Sequence, residues 1–91
     1  MQERVRRRVT ARGRVQGVFF RDTVRREAER AGVAGWASNE PDGSVEVVLE
    51  GDQETVERLV ALCRSGPGRA EVEEVSVREE EPEDLGDFEV R

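Results

Sequence analysis

The sequence predicts an α+β fold, a ferredoxin-like sandwich in which two helices cover one face of an antiparallel sheet. The apolar period alternates between two residues and about 3.6 residues in the order β-α-β-β-α-β, and a short C-terminal strand follows. Two right-handed crossovers in this order place both helices on the same side of the sheet. With 91 residues, the chain is expected to form one domain, residues 1–91.

Apolar spacing predicts the first strand and the first helix. Residues 4–12 alternate between apolar side chains and arginines, which is the period of a half-buried strand. Residues 13–17 include two glycines and predict a loop. From Phe20 to Ala31 the apolar residues recur at spacings of three and four, and Gly32 is a stop signal, so we expect a helix there.

A hairpin is predicted next. Residues 33–39, around Trp36, and residues 44–50 are strand candidates, and Pro41-Asp42-Gly43 between them is a turn signal. We expect Trp36 to be an anchor of the core or of the hairpin.

A helix cap and the alternation of apolar and polar residues predict the remaining elements. Asp52 is a candidate N-cap for a helix over residues 53–65, and Gly66-Pro67-Gly68 ends it. Residues 70–79 predict a strand whose broken alternation indicates a bulge. Residues 88–90 predict a brief last strand.

Several other features are expected to be structural. We expect a solvated strand face formed by Arg4, Arg6 and Arg8. We also expect the acidic run at residues 79–84 to form a solvated loop, and its spacing does not resemble that of a calcium-binding loop. Cys63 lies on an apolar helix face and predicts a small buried side chain.

Composition limits the chemistry available. The chain has no histidine, lysine or tyrosine and one cysteine, and all fifteen basic residues are arginine. These absences exclude a Ser-His-Asp or Cys-His pair, a Walker lysine, a lysine Schiff base, a His- or Cys-ligated zinc site and an intrachain disulfide. An enzyme built from this chain must use arginine, carboxylates, amides, hydroxyls and main-chain N–H groups.

Charge is distributed unevenly along the chain. Residues 1–45 contain ten arginines and six acidic residues, whereas residues 46–91 contain five arginines and fifteen acidic residues. The basic half favours a site for a small anion, and the acidic half disfavours wrapping by nucleic acid. No apolar stretch is long enough for a signal or a membrane span, so we expect a cytoplasmic protein.

The loop between the first strand and the first helix is the candidate anion site. Gly13 and Gly17 let the backbone curl, and the N–H groups of the following helix point into the loop. Arg21, in the first helical turn, adds a planar donor suited to a phosphoryl group. A glycine-bearing connection with a surface arginine is the structural alternative.

Asn39, at the end of the second predicted strand, is the second candidate. Asparagine commonly precedes turns, so a structural role is open. In the predicted fold this strand end approaches the loop after the first strand. There an amide could accept a hydrogen bond from water and donate one to an oxyanion without titrating.

Two runs of residues resemble the signatures of the acylphosphatase family. The first is Gly13-Arg14-Val15-Gln16-Gly17-Val18-Phe19-Phe20-Arg21, and the second spans residues 35–46, Gly-Trp-Ala-Ser-Asn-Glu-Pro-Asp-Gly-Ser-Val-Glu. Two ordered signatures are more specific than either alone. Three departures are visible: Phe19 where many members have a smaller residue, Arg12 where many have a small residue, and no aromatic residue after Phe88.

The resemblance implies a single domain that hydrolyses acyl phosphates to a carboxylate and inorganic phosphate, without a metal or another cofactor. It implies that Arg21 is the phosphate-binding arginine and Asn39 the water-positioning asparagine, both catalytic. It further implies a monomer whose only partners are small molecules. The implied phosphate-binding residues are Arg14, Val15, Gln16, Gly17, Val18, Phe19, Phe20 and Arg21.

Two other functions fit the same topology. An RNA-binding module needs exposed aromatic residues on the central strands, and the first and third predicted strands have none. A regulatory domain that binds a small anion without catalysis shares the loop, and only turnover distinguishes it.

Overall fold

The architecture follows the predicted order of elements in a computed structural model that describes residues 3–17 and 19–91. Both helices match their predicted limits, because each pairs a regular apolar stripe with a glycine stop. The elements are β1 (Arg4–Arg14), α1 (Phe20–Ala31), β2 (Ala34–Asn39), β3 (Val45–Asp52), α2 (Gln53–Ser65), β4 (Glu71–Glu80) and β5 (Phe88–Val90).

The five strands form one sheet in the order β4-β1-β3-β2-β5. The four longer strands pair antiparallel, as expected. The short β5 adds to β2 in parallel, with Phe88 opposite Gly35, so the sheet as a whole is mixed. Residues 81–87 connect β4 at one edge to β5 at the other edge. The predicted fold class is confirmed, and the parallel β5 is an addition to it.

The core lies between the sheet and the two helices. Val24 and Ala28 of α1, which packs on β2 and β5, and Val56 and Cys63 of α2, which packs on β1 and β3, are fully buried. The Asp52 side chain caps α2 by accepting from the Thr55 main-chain N–H at 3.2 Å. No helix in the described ranges is long and apolar enough to cross a bilayer.

The helix-free face of the sheet carries a charged cluster, and here one expectation is wrong. Arg6 is only 2% exposed, where the sequence predicted a solvated arginine. It contacts Glu50, Glu80 and Glu83, and the main-chain N–H groups of Glu83 and Leu85 donate to Glu50. Residues 81–87 therefore cross this face and cover Arg6, which alternation within one strand does not reveal.

Trp36 lies on this same face and not in the core. Its ring is half-buried beneath three guanidinium groups, with centroid distances of 5.2 Å to Arg6, 5.5 Å to Arg8 and 4.2 Å to Arg91. These distances fall within the range of cation–π contact. Trp36 thus links β2 to β1 and to the end of the chain.

The expected bulge lies where β4 meets β1. Arg12 pairs with Glu74 and Gly13 pairs with Val72, so Glu73 has no partner in β1. Gly13 has φ 127°, and a Cβ there would overlap the Glu71 main-chain oxygen. Only glycine allows this close approach, which brings the start of β4 beside the loop after β1.

Candidate active site

A cavity of about 370 Å³ opens where the β1–α1 loop, the start of α1 and the end of β2 meet. Both predicted catalytic residues line it, although they are 18 positions apart in sequence. Its lining residues are Val15, Gly17, Phe19, Phe20, Arg21, Asp22, Arg25, Asn39 and Val90.

Arg21 reaches the cavity from the first turn of α1. Its Nη1 donates to the main-chain oxygen of Arg91 at 2.6 Å. Within the described part of the chain, this is the only hydrogen bond of its guanidinium, which carries five N–H donors. The remaining donors can bind an anion in the cavity.

The start of α1 adds main-chain donors. Phe19, the N-cap residue, has φ 63° and makes no side-chain cap hydrogen bond. The first amides of a helix have no intrahelical partner, and the helix dipole is positive at this end. Gly17 also has a positive φ, 73°, so the chain curls just before the helix. Val18, a predicted phosphate-binding residue, lies outside the described residues.

One carboxylate also lines the cavity, and an arginine neutralises it. Arg25 Nη2 lies 2.6 Å from Asp22 Oδ1. This hydrogen bond lowers the pKa of Asp22 below its ordinary value, with Arg26 adding to the effect. Because Arg25 carries the opposite charge next to Asp22, an anion bound near Arg21 faces little net repulsion.

Asn39 lies at the end of β2 with an exposed side chain. No hydrogen bond of its carboxamide is found within residues 3–17 and 19–91. Both its donor and its acceptor therefore remain available to a water or a ligand in the cavity.

Gln16 explains why the loop and the β2–β3 hairpin share a cavity. Its side-chain Nε2 donates to the main-chain oxygens of Glu40 at 2.9 Å and Ser44 at 2.8 Å. The family resemblance places Gln16 among the phosphate-binding residues. In the structure its side chain instead links the β1–α1 loop to the turn after Asn39.

Two arginines near the loop point elsewhere. Arg12 Nη1 lies 2.9 Å from Asp42 Oδ2. Hydrogen bonds from Ser44, followed by that from Arg12, hold the pKa of Asp42 well below its ordinary range. Arg14 lines a neighbouring cavity with Arg69 and does not line the one that holds Arg21.

Three contributors to the cavity were not singled out from the sequence. Asp22 and Arg25 follow Arg21 on α1, and their spacing of three residues was a usable signal. Val90 is brought in by the parallel pairing of β5 with β2, which no local pattern reveals. Within the described ranges, no three Cys, Asp or Glu side chains converge as a metal site would require.

Comparison with known proteins agrees with the sequence signatures. The acylphosphatase family model matches residues 7–90. An acylphosphatase of Rubrobacter xylanophilus is 57% identical over 86 residues, which cover 92% of this chain and 77% of that protein. An acylphosphatase of Gloeobacter violaceus is 51% identical over 90 residues, which cover 99% of this chain and 97% of that protein.

Solved structures agree as well. The acylphosphatase from Coxiella burnetii superposes with a TM-score of 0.90 at 40% identity, over 97% of this chain and 93% of that chain. The acylphosphatase from Bacillus subtilis gives a TM-score of 0.90 at 34% identity, over 96% and 98%. These findings confirm the predicted fold and the predicted enzyme class, an acyl phosphate hydrolase. The chain belongs to the acylphosphatase family.

Proposed function

We propose that acyl phosphate hydrolysis proceeds here without a metal, on a phosphoryl group held by loop amides and Arg21, with water positioned by Asn39. One observation carries the proposal: Arg21, the uncapped start of α1 and Asn39 line a single cavity. The products are a carboxylate and inorganic phosphate.

The chemistry suits a chain that has no histidine or lysine. The leaving group of an acyl phosphate is a carboxylate, which departs without a proton. In a loose phosphoryl-transfer transition state the attacking water needs little help from a base. Positioning and electrostatic stabilisation therefore account for most of the required catalysis.

Arg21 and the loop supply the electrostatic part. The guanidinium can donate two parallel hydrogen bonds to phosphoryl oxygens. The amides at the start of α1 add donors of fixed direction, and the helix dipole favours the same negative charge. We assign the phosphate cradle to the main chain of residues 14–20 together with Arg21.

Asn39 supplies the positioning part. Its carbonyl oxygen can accept a hydrogen bond from the attacking water, and its amide N–H₂ can donate one to a phosphoryl oxygen. The group does not titrate, so it acts in the same way across the physiological pH range.

The same proposal covers the domain organisation, oligomeric state, partners and compartment of the enzyme. Residues 1–91 act as one domain and as a monomer, on a small-molecule substrate and without nucleic acid, in the cytoplasm. The single cysteine, which is buried and unpaired, suits a reducing compartment. The acidic second half of the chain would repel a nucleic-acid backbone.

Steady-state hydrolysis of benzoyl phosphate tests the proposal. We expect turnover that EDTA leaves unchanged. Arg21→Gln should lower kcat/KM by roughly 100-fold or more and weaken inhibition by phosphate. Asn39→Ala should lower kcat by roughly 10- to 100-fold while KM changes little, because it acts on the water.

Matched variants serve as controls. Arg30→Gln removes the same charge at the far end of α1, and Gln53→Ala removes an exposed amide on α2. Both should keep wild-type kinetics. Wild-type activity in Arg21→Gln and Asn39→Ala would refute the assigned roles, and phosphate binding without turnover would favour a non-catalytic anion-binding domain.

A further inference from the structure

Asp22 and Arg25 line the active-site cavity beside Arg21, and neither of them binds the phosphoryl group or the water in the proposed reaction. They are three residues apart on α1, so their side chains share one face of the helix. Arg25 Nη2 lies 2.6 Å from Asp22 Oδ1, and Arg25 Nη1 lies 3.1 Å from Glu29 Oε1. The planar guanidinium is therefore held at both ends along this face, which fixes its direction.

The start of α1 leaves amides available to a nearby anion. Phe19 is the N-cap, and its main-chain oxygen accepts the first helical hydrogen bond, from the Thr23 N–H at 3.0 Å. The amides of residues 20–22 therefore have no partner within the helix. The Phe19 side chain has no polar atom with which to cap them. They can bind a phosphoryl group, but they can equally bind a carboxylate of the chain itself.

Asp22 is the carboxylate best placed to occupy these amides. Counted from the N-cap it is the third helical residue, the position from which an acidic side chain reaches back to the helix start in a capping box. Within residues 3–17 and 19–91, however, its two oxygens contact only guanidinium groups, those of Arg25 and Arg26. Arg26 Nε is 3.5 Å from Oδ2, too long for a strong hydrogen bond, so Arg25 is the residue that directs the carboxylate.

We propose that Arg25 is a positioning residue, which holds the Asp22 carboxylate away from the amides at the start of α1 and so keeps them available to the substrate. Without Arg25, Asp22 would bind these amides and compete with the phosphoryl group from within the same chain. Because substrate displaces such a competitor, KM and the inhibition constant of phosphate should rise by the same factor while kcat stays unchanged. This inference rests on the proposed binding of the phosphoryl group by these amides and Arg21.

Hydrolysis of benzoyl phosphate, with inorganic phosphate as the inhibitor, tests the proposal. Arg25→Gln should raise KM and the phosphate inhibition constant about fivefold, the gain in occupancy expected for a carboxylate at a helix N-terminus, and leave kcat unchanged. Arg30→Gln is the matched control, because Arg30 pairs with Glu27 at the same spacing on α1 but lies outside the cavity. It should change none of the three constants.

A second variant serves if Arg25→Gln does not fold. Glu29→Gln releases the other end of the same guanidinium from a residue outside the active-site cavity. It should raise KM and the phosphate inhibition constant about twofold, because Arg25 then keeps its contact with Asp22 but loses the one that directs it.

A double variant distinguishes the repositioning of Asp22 from the loss of a charge. Asp22→Asn should return both constants of Arg25→Gln to within about twofold of the wild type, and should change them by less than about twofold in the wild-type background. A charge effect alone would give Asp22→Asn the same factor in both backgrounds. That equality, or unchanged constants in Arg25→Gln, or a fall in its kcat, overturns this inference alone. Wild-type activity in Arg21→Gln overturns the proposed function on which it rests.

Discussion

The Arg6 guanidinium and the Glu50 carboxylate form a buried ion pair, with Nη1 and Oε2 3.3 Å apart and exposures of 2% and 0%. Glu50 Oε1 also accepts from the main-chain N–H groups of Glu83 at 3.0 Å and Leu85 at 3.2 Å. The pair therefore holds the segment that connects β4 to β5, and Val90 of β5 lines the candidate active-site cavity.

Removing the Glu50 carboxylate should destabilise the fold strongly. Glu50→Ala leaves part of the Arg6 charge uncompensated and two amides without their acceptor, so we expect a loss of about 3 kcal/mol in the free energy of unfolding. Urea denaturation measures it. Glu81→Ala, an exposed carboxylate of the same segment, should change stability by less than about 0.5 kcal/mol. A similar loss in both variants would contradict the role of the buried pair.

Acid should weaken the same cluster. Hydrogen bonds from Arg8 and then Arg6 lower the pKa of Glu80 from 4.5 to about 2. For Glu50, burial alone would raise the pKa, but hydrogen bonds from the main chain of residues 83–85 and from Arg6 outweigh it and the pKa is lowered. Groups with a lowered folded pKa stabilise the protein above their ordinary pKa and lose that effect as the pH falls through the folded value.

The free energy of unfolding should therefore decline between about pH 4.5 and pH 2. Urea midpoints measured at intervals of pH provide the curve. Glu80→Gln should decline less steeply over this window and Glu81→Gln should match the wild type. Parallel curves for all three proteins would show that the cluster does not govern acid stability.

Gly35 should be the least replaceable glycine of β2 and β3. It has φ 140°, and a Cβ there would overlap the main-chain oxygen of Val48 in the central strand. Gly35→Ala should cost more than about 2 kcal/mol, because the two strands must separate. Gly43→Ala shares a positive φ of 92° but meets nothing within 4 Å, so it should cost about 1 kcal/mol. Thermal or urea unfolding distinguishes the two, and equal losses would contradict the steric argument.

Cys63 should be unreactive in the folded protein. Burial raises the pKa of its thiol to about 12, so the thiolate is scarce at neutral pH. A disulfide reagent at pH 8 should label no thiol in the native protein and one thiol per chain in denaturant. Rapid labelling without denaturant would show that α2 opens readily from the sheet.

The fold was largely predictable because its local signals agree with one another. The apolar stripe from Phe20 to Ala31 ends at a glycine that adopts the left-handed conformation of a cap. The burial of Arg6 was not predictable, since it depends on residues 81–87, which are more than 70 positions away in sequence. The parallel pairing of Phe88 with Gly35 also depends on residues 81–87, which cross the helix-free face of the sheet.

The candidate site was predictable to a similar extent. Arg21 and Asn39 were both singled out, and both line one cavity. The use of the Gln16 side chain as a tether was not predictable, because its acceptors are main-chain oxygens of another element. Arg14 and Arg21 line neighbouring cavities, and the register of β1 against β4, which places Arg14 opposite Glu71, is a tertiary property that the local sequence does not reveal.

The stacking of Arg91 on Trp36 connects a fluorescent side chain to the candidate active site. Trp36 is the only tryptophan of the chain, and the residue stacked on it at 4.2 Å also accepts the hydrogen bond from Arg21 through its main chain. If phosphate binds to Arg21 as we propose, it should compete with that hydrogen bond and, through Arg91, change the surroundings of the indole. We therefore expect phosphate binding to change the tryptophan fluorescence of the unlabelled protein.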